Sequence, residues 1–225
     1  MHTYNTPPCV ATIGFFDGVH LGHRYLISHV RQLAQGQNMP SMVVTFGTHP
    51  RQVVQTSFVP KLLSTPEEKQ KLLCETGIDH TMVLNFDQNM ATLTAREFMQ
   101  RVLKERLNVA QLVIGYDNKF GHNREEGFED YCRYGEMLGI RVVEAPQFEP
   151  DGVHVSSSAI RTHLLEGRVK QANALLGYAY SLGGKVVPGF QEGRKMGFPT
   201  ANLLVENPQK LLPQNGVYAT WVEVE

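Results

Sequence analysis

Val10-Ala-Thr-Ile-Gly14-Phe15-Phe16-Asp17-Gly18-Val19-His20-Leu21-Gly22-His23 is an apolar run that ends at Asp-Gly and opens into a differently spaced pattern. From Leu21 onward the apolar residues fall at Leu21, Tyr25, Leu26, Val30 and Leu33, the spacing of one helix face. The unit reads as strand, turn, helix. In an open parallel sheet such a turn lies at the carboxyl end of a strand, which is where these folds bind ligands.

The same unit recurs downstream. Ser41-Met-Val-Val-Thr-Phe46 reads as a strand, and Pro66-Glu-Glu-Lys-Gln-Lys-Leu-Leu-Cys74 as a helix with Pro and acids in its first turn. Thr81-Met-Val-Leu-Asn85 reads as a third strand. A helix from about Thr94 to Leu107 leads to the strand Leu112-Val-Ile-Gly115, and one from about Glu126 to Leu138 leads to Arg141-Val-Val-Glu144. This alternation predicts an α/β fold, a Rossmann-like, mainly parallel sheet covered by helices.

After Pro150 come Val153-His-Val-Ser-Ser-Ser-Ala-Ile-Arg161 and helical stretches from about Ser157 to Gly167 and Val169 to Leu176. From Tyr180 onward, Gly183, Gly184, Gly189, Gly193, Gly197 and Asn215-Gly216 punctuate short β-prone runs that end in Val217-Tyr-Ala-Thr-Trp-Val-Glu-Val224. They predict the start of a small antiparallel β-barrel. About 45 residues cannot close a barrel at ordinary strand and loop lengths. The expected domains are therefore 1–178, the parallel-sheet domain with its C-terminal helices, and 179–225, a partial barrel.

The chain has 225 residues, 42% hydrophobic and 19% charged, with a net charge of -1. A protein that grips nucleic acid through phosphates carries a basic excess, which Lys plus Arg at 21 against Asp plus Glu at 22 does not provide. The expected partners are small molecules, with no nucleic acid and no membrane, and the oligomeric state is left open. Residues 1–8 lack the pattern of a signal peptide, no apolar run approaches a membrane span, and the chain reads as cytoplasmic. Cys9, Cys74 and Cys132 are odd in number and widely spaced, against both a disulfide framework and a zinc site.

The chemistry centres on the opening turn. Gly18 and Gly22 permit close backbone approach, and free N–H groups at a helix start favour a phosphate. His20 and His23, three apart in the first helical turn, add donors that can stabilise charge developing on a phosphoryl group. Further on, Ser157, Ser158 and Arg161 combine hydroxyls at a helix start with a guanidinium one turn later, an anion-binding arrangement.

Gly-x-Phe-Asp-Gly-Val-His-x-Gly-His resembles the nucleotidyltransferase signature of the prokaryotic bifunctional riboflavin kinase and FAD synthetase family. The resemblance implies magnesium-dependent adenylyl transfer from ATP to FMN, giving FAD and pyrophosphate without a covalent intermediate. It implies catalytic roles for His20, His23 and Arg161, and ATP or phosphate contacts from Gly14, Phe15, Asp17, Gly18, Gly22, Ser157 and Ser158. Val155-Ser-Ser-Ser-Ala-Ile-Arg161 is similar to the family's I-S-S-T-x-I-R. Thr45-Phe-Gly-Thr-His49-Pro50 is similar to T-F-x-P-H-P, with Thr48 replacing a proline. Gly115-Tyr-Asp117-Asn-Lys-Phe120-Gly-His-Asn-Arg124 is similar to the family's flavin- and nucleotide-contacting loop, with Asn118 where an aromatic is usual. FMN contacts from His49, Asp117, Phe120 and Arg124 are thereby implied.

Gly189-Phe-Gln-Glu-Gly193-Arg194-Lys-Met-Gly197-Phe-Pro-Thr200-Ala-Asn202 resembles the family's riboflavin kinase signature. Its glycines let a loop wrap a phosphate, and the Thr200 hydroxyl and Asn202 amide offer oxygens to a magnesium ion. Gly193, Arg194, Gly197, Thr200 and Asn202 are the implied nucleotide and metal residues, and riboflavin the implied second substrate. The family's general-base Glu falls beyond Glu225, so little or no kinase activity is expected of the 225 residues themselves. Two alternatives stand beside this reading: an H-x-G-H transferase for another phosphorylated acceptor, and a non-catalytic flavin or nucleotide binder.

Overall fold

A computed structural model describes residues 7–55, 57–116, 118–122, 125–190 and 192–224. In chain order the first module runs β1 (Cys9–Ile13), α1 (Leu21–Gly36), β2 (Ser41–Phe46), α2 (Pro50–Val54), α3 (Pro66–Cys74), β3 (His80–Leu84), α4 (Gln88–Ala91) and α5 (Ala95–Phe98). It continues with β4 (Val109–Ile114), α6 (Phe128–Leu138), β5 (Arg141–Glu144), α7 (Ser157–Leu165) and α8 (Val169–Leu176). Beyond these lie β6 (Lys185–Val187), α9 (Glu192–Lys195) and β7 (Asn202–Leu204).

The five strands β1 to β5 form a parallel sheet in the order β3-β2-β1-β4-β5. Alternate residues serve opposite faces, as the pleat dictates. Ala11, Met42, Val44, Leu112 and Ile114 pack with Ala95, Phe98, Met99 and Leu103 on one face. Val10, Val43 and Val113 pack with Leu26, Ile27, Val30 and Ala34 of α1 on the other. Chain order reverses at β1, between β2 and β4, so the topological switch point lies outside the carboxyl ends of β1 and β4.

Local chemistry fixes several boundaries. Thr65 and Glu68 form a capping box that starts α3 with Pro66 in its first turn, and Thr94 with Glu97 does the same for α5. The helix expected over 94–107 is α-helical only to Phe98 and then winds as a π-helix over Met99–Lys104. The wider turn brings Met99, Val102 and Leu103 into the core. Pro50–Val54 and Gln88–Ala91 are short helices that apolar spacing did not announce.

The antiparallel sheet expected after residue 179 is present as β6 paired with β7. Val217 to Val224 form no strand among the described residues, and Val217, Trp221, Val222 and Val224 are exposed. A strand depends on a ladder partner for its N–H and C=O groups, and no described segment pairs with this one. Cys9 is buried, its thiol pushed up to about 11 by burial, and all three cysteines are free.

Candidate active site

The turn between β1 and α1 is held in an unfavourable shape. Phe16, Gly18 and Val19 have φ of 55°, 75° and 36°, and left-handed backbone at a β-branched residue such as Val19 is costly. Asp17 holds it there. Its carboxylate, 3% exposed, accepts the Leu63 N–H on both oxygens (3.0 Å each), the Ser64 N–H (3.1 Å) and hydroxyl (3.3 Å), and Arg161 Nη2 (2.5 Å). Gly18 N–H donates to Ser64 Oγ at 2.9 Å, and Gly18 C=O accepts the Tyr178 hydroxyl at 2.6 Å. The Asp17 oxygens and the Gly18 amide, expected to face phosphate, are thus engaged within the protein. Gly18 is required by its φ and by Leu63, whose atoms lie 3.0 Å from where a Cβ would sit.

His20 is the N-cap of α1, its Nδ1 accepting the His23 N–H at 3.3 Å. That leaves the proton of the neutral ring on Nε2, as a donor. The two imidazoles stack at 3.6 Å, and Phe16 meets His23 edge-on at 5.1 Å. Gly22 makes the stack possible: a Cβ there would lie 3.3 Å from the His20 ring and 3.5 Å from Val155 O. Burial lowers His20 to about 4 and, with the neighbouring His20 ring, holds His23 well below the ordinary histidine range. Both rings are therefore neutral donors near pH 7. Among the described residues His23 Nδ1 is buried without a hydrogen-bond partner.

The serines divide their work. Ser156, absent from the sequence-derived set, caps α7 by accepting the Ala159 N–H, while the Ser157 hydroxyl donates to Asp17 O at 3.1 Å. Ser158 is exposed at the start of α7. Arg161 spends Nε on Lys61 O (2.8 Å) and Nη2 on Asp17, with further guanidinium donors beyond these two.

Two pockets flank this turn. One, of about 310 Å³, lies between the carboxyl ends of β1, β4 and β5; it is lined by His20, Gly22, His23, Gly115, Ser157 and Ser158, and bounded by the stacked Tyr25 and Phe148. The N-termini of α1 and α7 meet there, a favourable place for negative charge. The other, of about 220 Å³, lies beyond β1 and β2 and is lined by Phe15, Thr48, His49, Ser64, Lys69 and Gln209 among others. His49 packs between the rings of Phe15 (4.6 Å) and Phe58 (5.4 Å) and caps α2 through Nδ1.

Lys69 belongs to none of the sequence motifs. Its Nζ donates to Phe15 O (3.1 Å) and Phe46 O (2.8 Å), tying the ends of β1 and β2, and lies 4.0 Å from the centre of the Phe15 ring. Burial lowers it to about 8. The available signal was a lysine on the inner face of α3, one turn before buried Leu73.

Gly14 continues the sheet by donating to Val44 O, and a Cβ on it would meet the Phe16 ring at 3.0 Å. Phe120, half-buried, stacks at 4.3 Å on Tyr131 and is tilted against Phe98. Asn118 donates through its side chain to Ile13 O, bridging β4 and β1. Asp117 and Arg124 lie outside the described residues. In the second module the backbone folds back on the signature: a Cβ on Gly189 would strike the Asn202 amide, and one on Gly193 would strike Phe198 O and approach Thr200 Oγ1 at 3.3 Å. Arg194 lies on α9, and Gly197 has φ 82°.

The FAD synthetase family model matches residues 2–159, and the riboflavin kinase family model matches 176–225. The chain belongs to the bifunctional riboflavin kinase and FAD synthetase family. Among its relatives, the Escherichia coli K12 bifunctional riboflavin kinase/FMN adenylyltransferase is 37% identical over 214 residues, covering 95% of this chain and 68% of the relative. The Haemophilus influenzae protein of the same description is 36% identical over 217 residues, covering 96% and 70%. A Streptococcus pneumoniae crystal structure described as a macrolide-efflux protein shares the fold at a TM-score of 0.84, with 32% identity over 95% of this chain and 69% of that one. That description belongs to the Streptococcus protein. Among the described residues here, no helix is long and apolar enough to cross a membrane.

Within the bifunctional riboflavin kinase and FAD synthetase family frame, the Asp17 turn, both histidines and the start of α7 fall inside the FAD synthetase match, whereas Arg161 lies just past it. Lys210 falls inside the riboflavin kinase match.

Proposed function

We propose that this chain transfers the adenylyl group of ATP to FMN, releasing pyrophosphate and forming FAD. The FAD synthetase match supports this activity, and the riboflavin kinase match supports phosphorylation of riboflavin as the partner activity of the whole enzyme. The observation that carries the reading is the convergence of His20, His23 and the N-termini of α1 and α7 on one pocket at the switch point.

That pocket suits the more highly charged substrate, ATP. Gly22, Ser157 and Ser158 line the phosphate path, and neutral His20 and His23 donate N–H to phosphoryl oxygens. Two protonated imidazoles stacked at 3.6 Å would repel each other, which favours the neutral rings. The pocket beyond β2 suits FMN: Phe15 and His49 offer aromatic surface for the ring system, and Lys69 offers a cation to its phosphate. Between the pockets, Arg161 is fixed by Asp17, with donors left for the charge that builds up as pyrophosphate departs.

Among the described residues no cluster of three or more His, Cys, Asp or Glu side chains could hold a metal. Magnesium bound mainly by nucleotide phosphates and waters needs only one or two protein oxygens, and Thr200 and Asn202, under the folded-over glycine loop, fit that requirement in the kinase module. When bound, the ion neutralises phosphate charge. We place the enzyme in the cytoplasm, with nucleotides and flavins as its partners and nucleic acid not among them.

The test is incubation with FMN, ATP and magnesium while FAD and pyrophosphate are followed. Absence of both products at saturating substrate overturns the reading.

A further inference from the structure

The segment from Asn207 to Gln214 lies within the riboflavin kinase match, yet it packs on the first module. Leu62 and Lys210 form an isolated parallel bridge, in which Leu62 N–H donates to Gln209 O at 2.7 Å and Leu211 N–H to Leu62 O at 2.8 Å. Leu211 is buried with Leu63, Ile160, Leu164 and Leu176, and Gln214 N–H reaches Leu164 O at 2.9 Å.

Lys210 is only 6% exposed. Its Nζ donates to Leu63 O at 2.9 Å and pairs with Glu68 Oε2 at 2.5 Å, and it lies 4.6 Å from the centre of the Tyr180 ring. The Tyr180 hydroxyl in turn donates to Leu211 O at 2.6 Å. A buried ammonium is unfavourable unless such partners surround it.

The short peptide 61–64 is consequently held from both sides. Lys61 O accepts Arg161, both Leu62 backbone groups bond to the 209–211 segment, Leu63 O accepts Lys210, and the Leu63 and Ser64 amides face Asp17. The carboxylate that holds the strained turn and Arg161 thus leans on a peptide whose other side rests on Lys210. Gln209 itself lines the second pocket beside Ser64 and Lys69.

We propose that the second module supplies a wall of the adenylyl-transfer site, and that Lys210 is a positioning residue for that reaction, acting through Leu62 to Ser64 on the pocket that Leu62, Ser64 and Gln209 line. The inference rests on the assignment of FMN to the pocket that Gln209 lines. The two modules then share a framework, and adenylyl transfer depends on residues that follow the expected domain boundary.

The experiment compares the 225-residue chain with Lys210→Met, Lys210→Arg and Gln209→Ala. FMN and ATP are varied separately, and the thermal midpoint is recorded for each protein. Lys210→Met is expected to raise the KM for FMN about tenfold while the KM for ATP stays within about threefold, and Lys210→Arg to recover most of the loss. A lower kcat with both KM values unchanged is what a smaller folded fraction produces, and it overturns the proposal. Should Lys210→Met fail to fold, Gln209→Ala decides, since its bridge is made by backbone alone: a rise of about threefold or more in the FMN KM at an unchanged midpoint upholds the wall, and an unmoved KM overturns it. A folded wild-type chain that makes no FAD overturns the functional reading and this proposal together, whereas an active wild type with unmoved variants overturns the proposal alone.

Discussion

Arg161 donates through Nη2 to Oδ2 of Asp17 at 2.5 Å, an ion pair between residues 144 positions apart that fastens α7 to the turn after β1. Removing the guanidinium leaves a buried carboxylate with amide and hydroxyl partners but no counter-charge. Arg161→Met is expected to cost about 3 kcal/mol by denaturant unfolding and to abolish adenylyl transfer. Arg161→Lys returns a charge without the planar fork, so stability recovers in part while the rate stays low. Full activity in Arg161→Met would remove Arg161 from the mechanism.

His23→Ala removes one donor aimed at developing charge. A drop of about a hundredfold in kcat is expected, with the FMN dissociation constant within about threefold of wild type, measured by steady-state kinetics and flavin fluorescence titration. Equal losses in rate and in binding would instead make His23 a general binding residue.

The histidine pair also shapes acid stability. His20 has a folded value of about 4 against an ordinary 6.5, so between those pH values the unfolded chain binds more protons than the folded one. Stability is expected to fall as pH drops from 6.5 toward 4, by about 3 kcal/mol from His20 alone. His20→Asn should flatten that part of the stability profile in urea titrations at stepped pH; an unchanged slope would contradict the buried, neutral ring.

Lys69 has its folded value lowered to about 8 by burial, so the cost of its buried charge is present below pH 8 and is relieved as pH rises from 8 toward 10.5. Activity is expected to move the opposite way, falling above pH 8 as the ammonium facing the FMN pocket is lost. In Lys69→Met the alkaline decline should disappear from the kcat/KM profile for FMN, at a uniformly lower rate.

Two glycine substitutions separate local strain from open space. Gly18→Ala meets both a φ of 75° and Leu63 atoms at 3.0 Å, and is expected to destabilise by about 2 kcal/mol. Gly36→Ala, at the end of α1 with nothing within 4 Å of its Cβ, should be neutral or stabilising by about 0.5 kcal/mol. Thermal unfolding of the two variants side by side checks the contrast.

The amino-acid sequence by itself determined the strand, turn and helix units, the parallel sheet they build and the segments that carry the chemistry. Ser41 to Phe46 and Pro66 to Cys74 were legible because alternation, apolar spacing and capping are set by residues within one or two turns of each other. Tertiary structure alone decided what those segments touch. It paired Asp17 with Arg161, packed Phe120 on Tyr131, and buried Lys69 and Lys210 against backbone carbonyls. Each of these follows from a buried or half-buried polar or aromatic group finding partners that the fold brings near, and such pairings across 11 to 147 positions leave no local period in the chain.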